Sequence, residues 1–340
     1  MLITTAALRP ALEPLLGLRK AQGLRAILVD VQAIYDEFSG GATDPAAIHA
    51  FLQYAYTHWR RPAPTYVLLA GDGSFDPLGY CTEPGVCFDG LVTPPETNQI
   101  PPFLVASDPW IGETAADNRY VTFSAEGGLP AMAIGRLPVA TLAEARAVVA
   151  KILDYERQPA AQEWRAHITF VTDNAFDAGG ELDPAGNFWD FSDRVANDPM
   201  LAAAGLRVER LYLNLCDPDA HGACRLPNPP YPPLKDGPSL TSALIGAINA
   251  GSAIVNYTGH AALASWAGLP EIFSSEDATR LINQDRLPVM VDMTCYTGYF
   301  HFPGAPSLAE TLLRAPTRGS VAGVGGDRAR SGRKARCPRS

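Results

Sequence analysis

Two segments, 35 residues apart at their reactive side chains, each place such a group just past an apolar, β-rich run. Residues 252–257 lead into Thr258-Gly259-His260, and residues 288–293 lead into Thr294-Cys295. A thiol and an imidazole are the groups needed for nucleophilic catalysis at an acyl carbon. The thiolate attacks, and a nearby imidazole takes the thiol proton and later delivers it to the leaving amine. In open parallel sheets functional groups collect beyond the carboxyl ends of the strands. If the two runs are neighbours in one sheet, their ends lie about 5 Å apart laterally and the pair shares a rim. The backbone N–H groups of Cys295 and Ala261 are then placed to meet the oxyanion of a tetrahedral intermediate. Gly259 lets the chain turn sharply before His260. Residue types alone leave another reading open. A cysteine after a strand is commonly a buried small hydrophobe, and a lone loop histidine is commonly polar surface.

The rest of the sequence supplies elements that position such a pair. Strand-like and helix-like runs alternate, the pattern of a mostly parallel sheet with helices on both faces, an α/β fold. Strands are expected at 25–31, 65–70, 131–135, 167–172, 208–213, 252–257, 288–293 and 319–324. The first clear helix, 44–59, has Asp44 as its cap, Pro45 in its first position, and Ile48, Phe51, Leu52 and Ala55 on one stripe. Thr141 caps a second helix through Leu153. Further helices are expected at 188–196, 239–249 with Gly251 as C-cap, 276–283 and 307–313. Residues 74–118 read as a surface excursion, and 157–163 with Pro159 as a joint between subdomains at 1–160 and 161–326.

Composition limits the classes of function. A hydrophobic content of 47% is ample for a full core, and a net charge of −9 argues against nucleic acid as a partner. No run of 18 apolar residues is present, so no membrane span is expected. Residues 327–340 carry Arg328, Arg330, Arg333, Lys334, Arg336 and Arg339 against the single acid Asp327, and are expected to be a disordered basic tail. No secretion signal opens the chain, which fits either a cytosolic protein or a piece of a longer one. Cysteine spacing favours the second: Cys81 with Cys87 and Cys216 with Cys224 suit two local disulfides in an oxidising compartment.

Longer motifs surround the reactive pair. They are Asn256-Tyr257-Thr258-Gly259-His260, Trp266, Leu281-Ile282-Asn283, Leu287-Pro288 and Met293-Thr294-Cys295-Tyr296-Thr297-Gly298-Tyr299-Phe300. Upstream stand Tyr66-Val67-Leu68-Leu69-Ala70-Gly71-Asp72-Gly73-Ser74-Phe75-Asp76 and Ile134-Gly135-Arg136-Leu137-Pro138-Val139. Together, and in this order, they resemble the gingipain family of cysteine peptidases from about Leu2 to Gly325. The resemblance stops at Asp327, which reads as a truncation or a reading-frame shift.

The resemblance implies a caspase-like fold of two α/β subdomains with the chemistry in the second. It implies a cysteine-type endopeptidase acting on protein or peptide substrates through a Cys/His dyad and a thioester acyl-enzyme, secreted or at the cell surface, with no cofactor required for the chemistry. His260 becomes the base and Cys295 the nucleophile. The family also implies an acid that orients the histidine; Asp173, at a strand end, is the candidate, with turn-capping as the competing role. Family members often bind structural calcium. Asp173, Asp177, Glu181 and Asp183 crowd one loop, and Asp108 and Asp117 another, but neither has EF-hand spacing and no ligands are assigned. Asp217 and Asp219 are weak candidates for a pocket taking a basic side chain. One departure stands out: the family usually has Gly after the histidine, and here it is Ala261, whose methyl group leaves the N–H free but would either crowd the oxyanion site or demand a negative φ. A sortase-like transpeptidase and a catalytically impaired interaction module on the same fold are the alternative readings. Oligomeric state and cleavage preference stay open.

Overall fold

A parallel neighbour is reached only by a crossover of a dozen or more residues, and a parallel sheet is stable only when both faces are covered. The computed structural model meets both demands twice. It describes residues 1–77, 79–81, 98–108, 112–124, 128–176, 181–215, 234–268 and 271–325. The basic tail, Cys87, Cys216, Cys224, Asp177, Asp217, Asp219 and the side chain of Asp108 fall outside this description. Contacts divide the chain into two units: residues 1–153 with 300–306, and residues 154–299 with 307–340.

The first unit contains β1 (Leu2–Thr4), α1 (Arg9–Ala21), β2 (Leu28–Asp30), α2 (Val31–Phe38), α3 (Pro45–His58), β3 (Tyr66–Ala70), the antiparallel pair β4 (Leu104–Asp108) and β5 (Gly112–Ala115), β6 (Ala133–Leu137) and most of α4 (Leu142–Arg157). Its sheet is parallel, in the order β2-β1-β3-β6. Asp44 caps α3 by accepting from the Ala46 N–H at 2.7 Å, and Ile48, Phe51, Leu52 and Ala55 are buried. Ile48, Phe51 and Leu52 each contribute about 1.5–3 kcal/mol on burial.

The strand order reverses between β1 and β3, so the carboxyl ends there flank a crevice of the kind that binds ligands in open α/β sheets. Here the chain's own residues 98–102 lie against it. A methyl group on Gly71 would stand 2.9 Å from Gln99 Cβ and Ile100 Cγ1. Buried Arg136 fixes the segment: it pairs with Asp117 at 2.6 and 2.9 Å and donates to the carbonyls of Gly71 and Ile100 at 2.9 and 2.8 Å.

The second unit contains β7 (His167–Thr172), α5 (Phe188–Ala196), α6 (Pro199–Ala203), β8 (Arg207–Tyr212), α7 (Gly237–Ala250), β9 (Ile254–Thr258), the short pair β10 (Ser265–Trp266) and β11 (Phe273–Ser274), α8 (Ser275–Thr279), β12 (Val289–Met293), α9 (Leu308–Arg314) and β13 (Ala322–Val324). Its sheet is parallel throughout, in the order β13-β12-β9-β7-β8. Both faces are covered. Val255, Tyr257 and Met290 pack with Leu240 and Leu244 of α7 and with Leu308 and Leu312 of α9. Ile168 and Phe170 pack with Trp189 and Ala196 of α5 on the other face. The strand order reverses between β7 and β9, which places this unit's crevice beyond Thr172 and Thr258. No helix among the described residues is long and apolar enough to cross a membrane.

Candidate active site

β9 and β12 are adjacent and parallel, with Tyr257 opposite Asp292 and Thr258 opposite Met293. His260 and Cys295 each stand two residues past that last rung. The strands that carry them, ending at Thr258 and Met293, are hydrogen-bonded neighbours with a spacing of about 4.8 Å, so the two segments leave the sheet side by side.

The loop that follows β9 is held tightly. A methyl group on Gly259 would stand 2.3 Å from Asp173 Cβ and 2.5 Å from the Tyr257 phenol oxygen, so only glycine lets the chain pass. The His260 N–H donates to Asp173 Oδ2 at 3.1 Å. The His260 carbonyl accepts from the Tyr257 hydroxyl at 2.5 Å and from the Ala267 N–H at 2.7 Å. Burial holds the Tyr257 phenol well above its usual range, so it stays a donor. Trp266 stacks on the Tyr257 ring with centroids 4.5 Å apart.

The imidazole is met by Asp183, whose Oδ2 lies 2.9 Å from Nε2. Both side chains are about one-fifth exposed, at 22% and 20%. Burial pushes the Asp183 carboxyl up, but the hydrogen bond from His260 and the Ala185 N–H at 2.7 Å outweigh it and leave it below the usual carboxylate range. An ionised carboxylate only accepts, so the proton of the neutral ring sits on Nε2 and the lone pair on Nδ1. Phe188 stands edge-on to the ring at 5.3 Å. Asp173, the sequence candidate for orienting the histidine, reaches its backbone and not its ring. Burial pushes its carboxyl up against the amides of Asn174 and His260.

Cys295 is in no disulfide and is 9% exposed. The turn that follows it is unusual. The Thr297 N–H donates to the Cys295 carbonyl at 2.7 Å across Tyr296, whose φ is 58°. An i→i+2 hydrogen bond around a positive φ is the rare, strained form of γ-turn. A non-glycine residue held there costs of order 1–3 kcal/mol, and such strain clusters at functional sites. Ala261 is not among the positive-φ residues, so its methyl group brings no backbone strain.

His301 belongs to the first unit, fully buried, where burial and Arg136 push it down to about 3. Asp117 is committed to Arg136, and Asp173 and Asp183 to His260. Among the described residues no group of three or more His, Cys, Asp or Glu side chains is arranged to hold a metal ion. Cys81 is disulfide-bonded and buried.

A model of peptidase family C25 matches residues 1–335. Two curated relatives match over 81 residues, 24% of this chain, at 36% identity: gingipain R2 of Porphyromonas gingivalis strain ATCC 33277 and gingipain R1 of Porphyromonas gingivalis. That stretch is 11% of the first relative's length and 8% of the second's. Among solved structures, gingipain R, described as an Arg-specific cysteine proteinase, superposes with a TM-score of 0.67 at 19% identity. That superposition covers 94% of this chain and 61% of the solved one. A second structure, described as a protease, gives a TM-score of 0.62 at 16% identity over 95% of this chain and 58% of its own. The fold is thereby that of gingipain R, a caspase-like α/β arrangement.

Proposed function

The chain belongs to peptidase family C25, and on that premise we propose that it is a cysteine endopeptidase whose dyad is Cys295 and His260. The observation that carries the assignment is the shared overhang: both side chains stand two residues past one rung of adjacent parallel strands.

The steps follow from the groups present. His260 Nδ1 takes the Cys295 thiol proton, and the thiolate sulfur bonds to the scissile carbonyl carbon. The resulting oxyanion is met by the backbone N–H groups of Cys295 and Ala261. Collapse of the tetrahedral species breaks the C–N bond as His260 returns the proton to the leaving amine. Water then attacks the thioester, with His260 again taking a proton, and the thiol and a carboxylic acid are released. Asp183 orients the ring and supports the imidazolium. Asp173 holds the His260 backbone. Structural calcium is no part of these steps. The disulfide at Cys81 supports work in an oxidising compartment, at the cell surface or outside it.

The test is a positional-scanning library of internally quenched peptides, with and without calcium. Cys295→Ala and His260→Ala each abolish cleavage on this reading. Cleavage that survives Cys295→Ala refutes it.

A further inference from the structure

Asp292 is a buried acid for which the proposed chemistry has no use. It lies on β12 three residues before Cys295, directly opposite Tyr257. It is 5% exposed. Strand alternation turns its side chain to the face of Met290, towards the core that contains Val255, Tyr257 and Trp266. Burial pushes its carboxyl up to about 6, against the Thr297 hydroxyl and the Trp266 indole N–H, which pull it down. An apolar residue of similar volume would fill the place without desolvating a carboxylate.

Its two polar neighbours belong to two different parts of the site. Thr297 closes the turn on the Cys295 carbonyl. Trp266 backs the Tyr257 ring, whose hydroxyl binds the His260 carbonyl, and the next residue, Ala267, donates to that same carbonyl. One carboxyl group thus lies between the turn that carries the thiol and the ring stack that supports the imidazole. The contacts are near but incomplete. Asp292 Oδ1, Trp266 Nε1 and Thr297 Oγ1 are each buried without a hydrogen bond of normal geometry among the described residues. Hydrogen bonds at catalytic sites often tighten only with substrate in place.

We propose that Asp292 is a positioning residue that ties the Cys295 turn to the His260 loop by bridging Thr297 and Trp266. The proposal rests on the peptidase reading of the same pair. Asp292 touches neither substrate nor the reacting atoms. It sets the approach of thiol and imidazole, and a misplacement of 1 Å there costs about a hundredfold in rate.

The test compares Asp292→Asn, Asp292→Leu and Thr297→Val, each checked for folding by thermal melting. Asparagine keeps an acceptor for the indole N–H and offers a donor to the Thr297 hydroxyl oxygen. Leucine keeps neither, and Thr297→Val cuts the tie from the nucleophile's side. Two readouts are taken: kcat and KM on a peptide from the library, and the rate of Cys295 alkylation by iodoacetamide at pH 7, mapped by mass spectrometry. Asp292→Leu and Thr297→Val lower kcat about 10- to 100-fold with KM within about twofold, and slow alkylation. Asp292→Asn restores kcat to within about threefold of wild type. The proposal is overturned if folded Asp292→Leu keeps both rates within twofold, or loses only in KM, or if Asp292→Asn is as impaired as leucine. If leucine does not fold, Thr297→Val decides by the same criteria. If the wild type cleaves no peptide, the peptidase reading falls, and the alkylation rates alone decide the role of Asp292.

Discussion

Gly259→Ala is a small perturbation with a calculable effect. The added methyl carbon would stand 2.3 Å from Asp173 Cβ, 2.5 Å from the Tyr257 hydroxyl oxygen and 2.9 Å from Tyr257 Cζ. Carbon atoms pack at about 3.5–4.0 Å, so roughly 1 Å of movement is required at the start of the histidine loop. Neither neighbour can yield cheaply. Asp173 is buried and bound to two backbone amides, and the Tyr257 ring is stacked on Trp266. The backbone of His260 moves instead. Overpacking of this kind costs about 1–3 kcal/mol of stability. A 1 Å shift of a reacting group costs about a hundredfold in rate. The assay pairs thermal melting with kcat on a cleaved peptide. A variant that melts within a few degrees of wild type yet loses about two orders of magnitude in kcat meets the expectation. A folded Gly259→Ala enzyme with kcat within threefold of wild type refutes the claim that this contact positions the base.

Asp183→Ala removes a charged hydrogen bond worth about 1.5–3 kcal/mol, so kcat/KM falls about 10- to 150-fold; an unchanged value argues against Asp183 as the orienting acid. Asp292 also predicts a dependence of stability on pH. Its folded pKa of about 6 lies above the unfolded value of 3.8, so the folded state holds the proton longer. Its contribution is full below about pH 4 and is lost as pH rises through 6, by about 3 kcal/mol at most. Urea unfolding of wild type and Asp292→Asn from pH 4 to 7.5 reads this directly, and a constant difference between the two curves refutes it.

His260 and Cys295 can be singled out in sequence because two apolar runs end abruptly beside them, a signal that survives without neighbours. The capped helices are legible for a similar reason: Asp44 and Pro45 mark the start of α3, and Gly251 the end of α7. Short or uncapped elements are not. β1 has three residues, too few to show a period, yet Ile3 is fully buried and the strand is central in its sheet. α1 starts without a side-chain cap and contains Pro14 and Gly17, both helix-unfavourable. β4 and β5 pair antiparallel inside a stretch whose prolines and acids read as irregular. α8 stops at Thr279, short of the expected 283, and buried Asn283 is committed to the Gly319 backbone on both its amide groups. Asp183 illustrates the harder case. It stands 77 residues before His260 in a loop whose composition suggests cation binding, and only the folded chain brings it to the ring. Strand-end logic selects Asp173 instead, which the structure places against the histidine's backbone.

The common rung beneath His260 and Cys295 has a consequence for how such a chain can vary. One residue inserted into β9 or β12 would slide its side chain about 3.3 Å along the sheet and turn it to the opposite face. Insertions in the crossover that joins the two strands, for instance near exposed Ile282, leave the rung as it was. Drift in length is therefore tolerated at exposed points of the crossover, such as residues 284–286, and forbidden across two five-residue strands. Tolerance mapped by random single-residue insertion should show this as two narrow silent gaps flanking a permissive stretch.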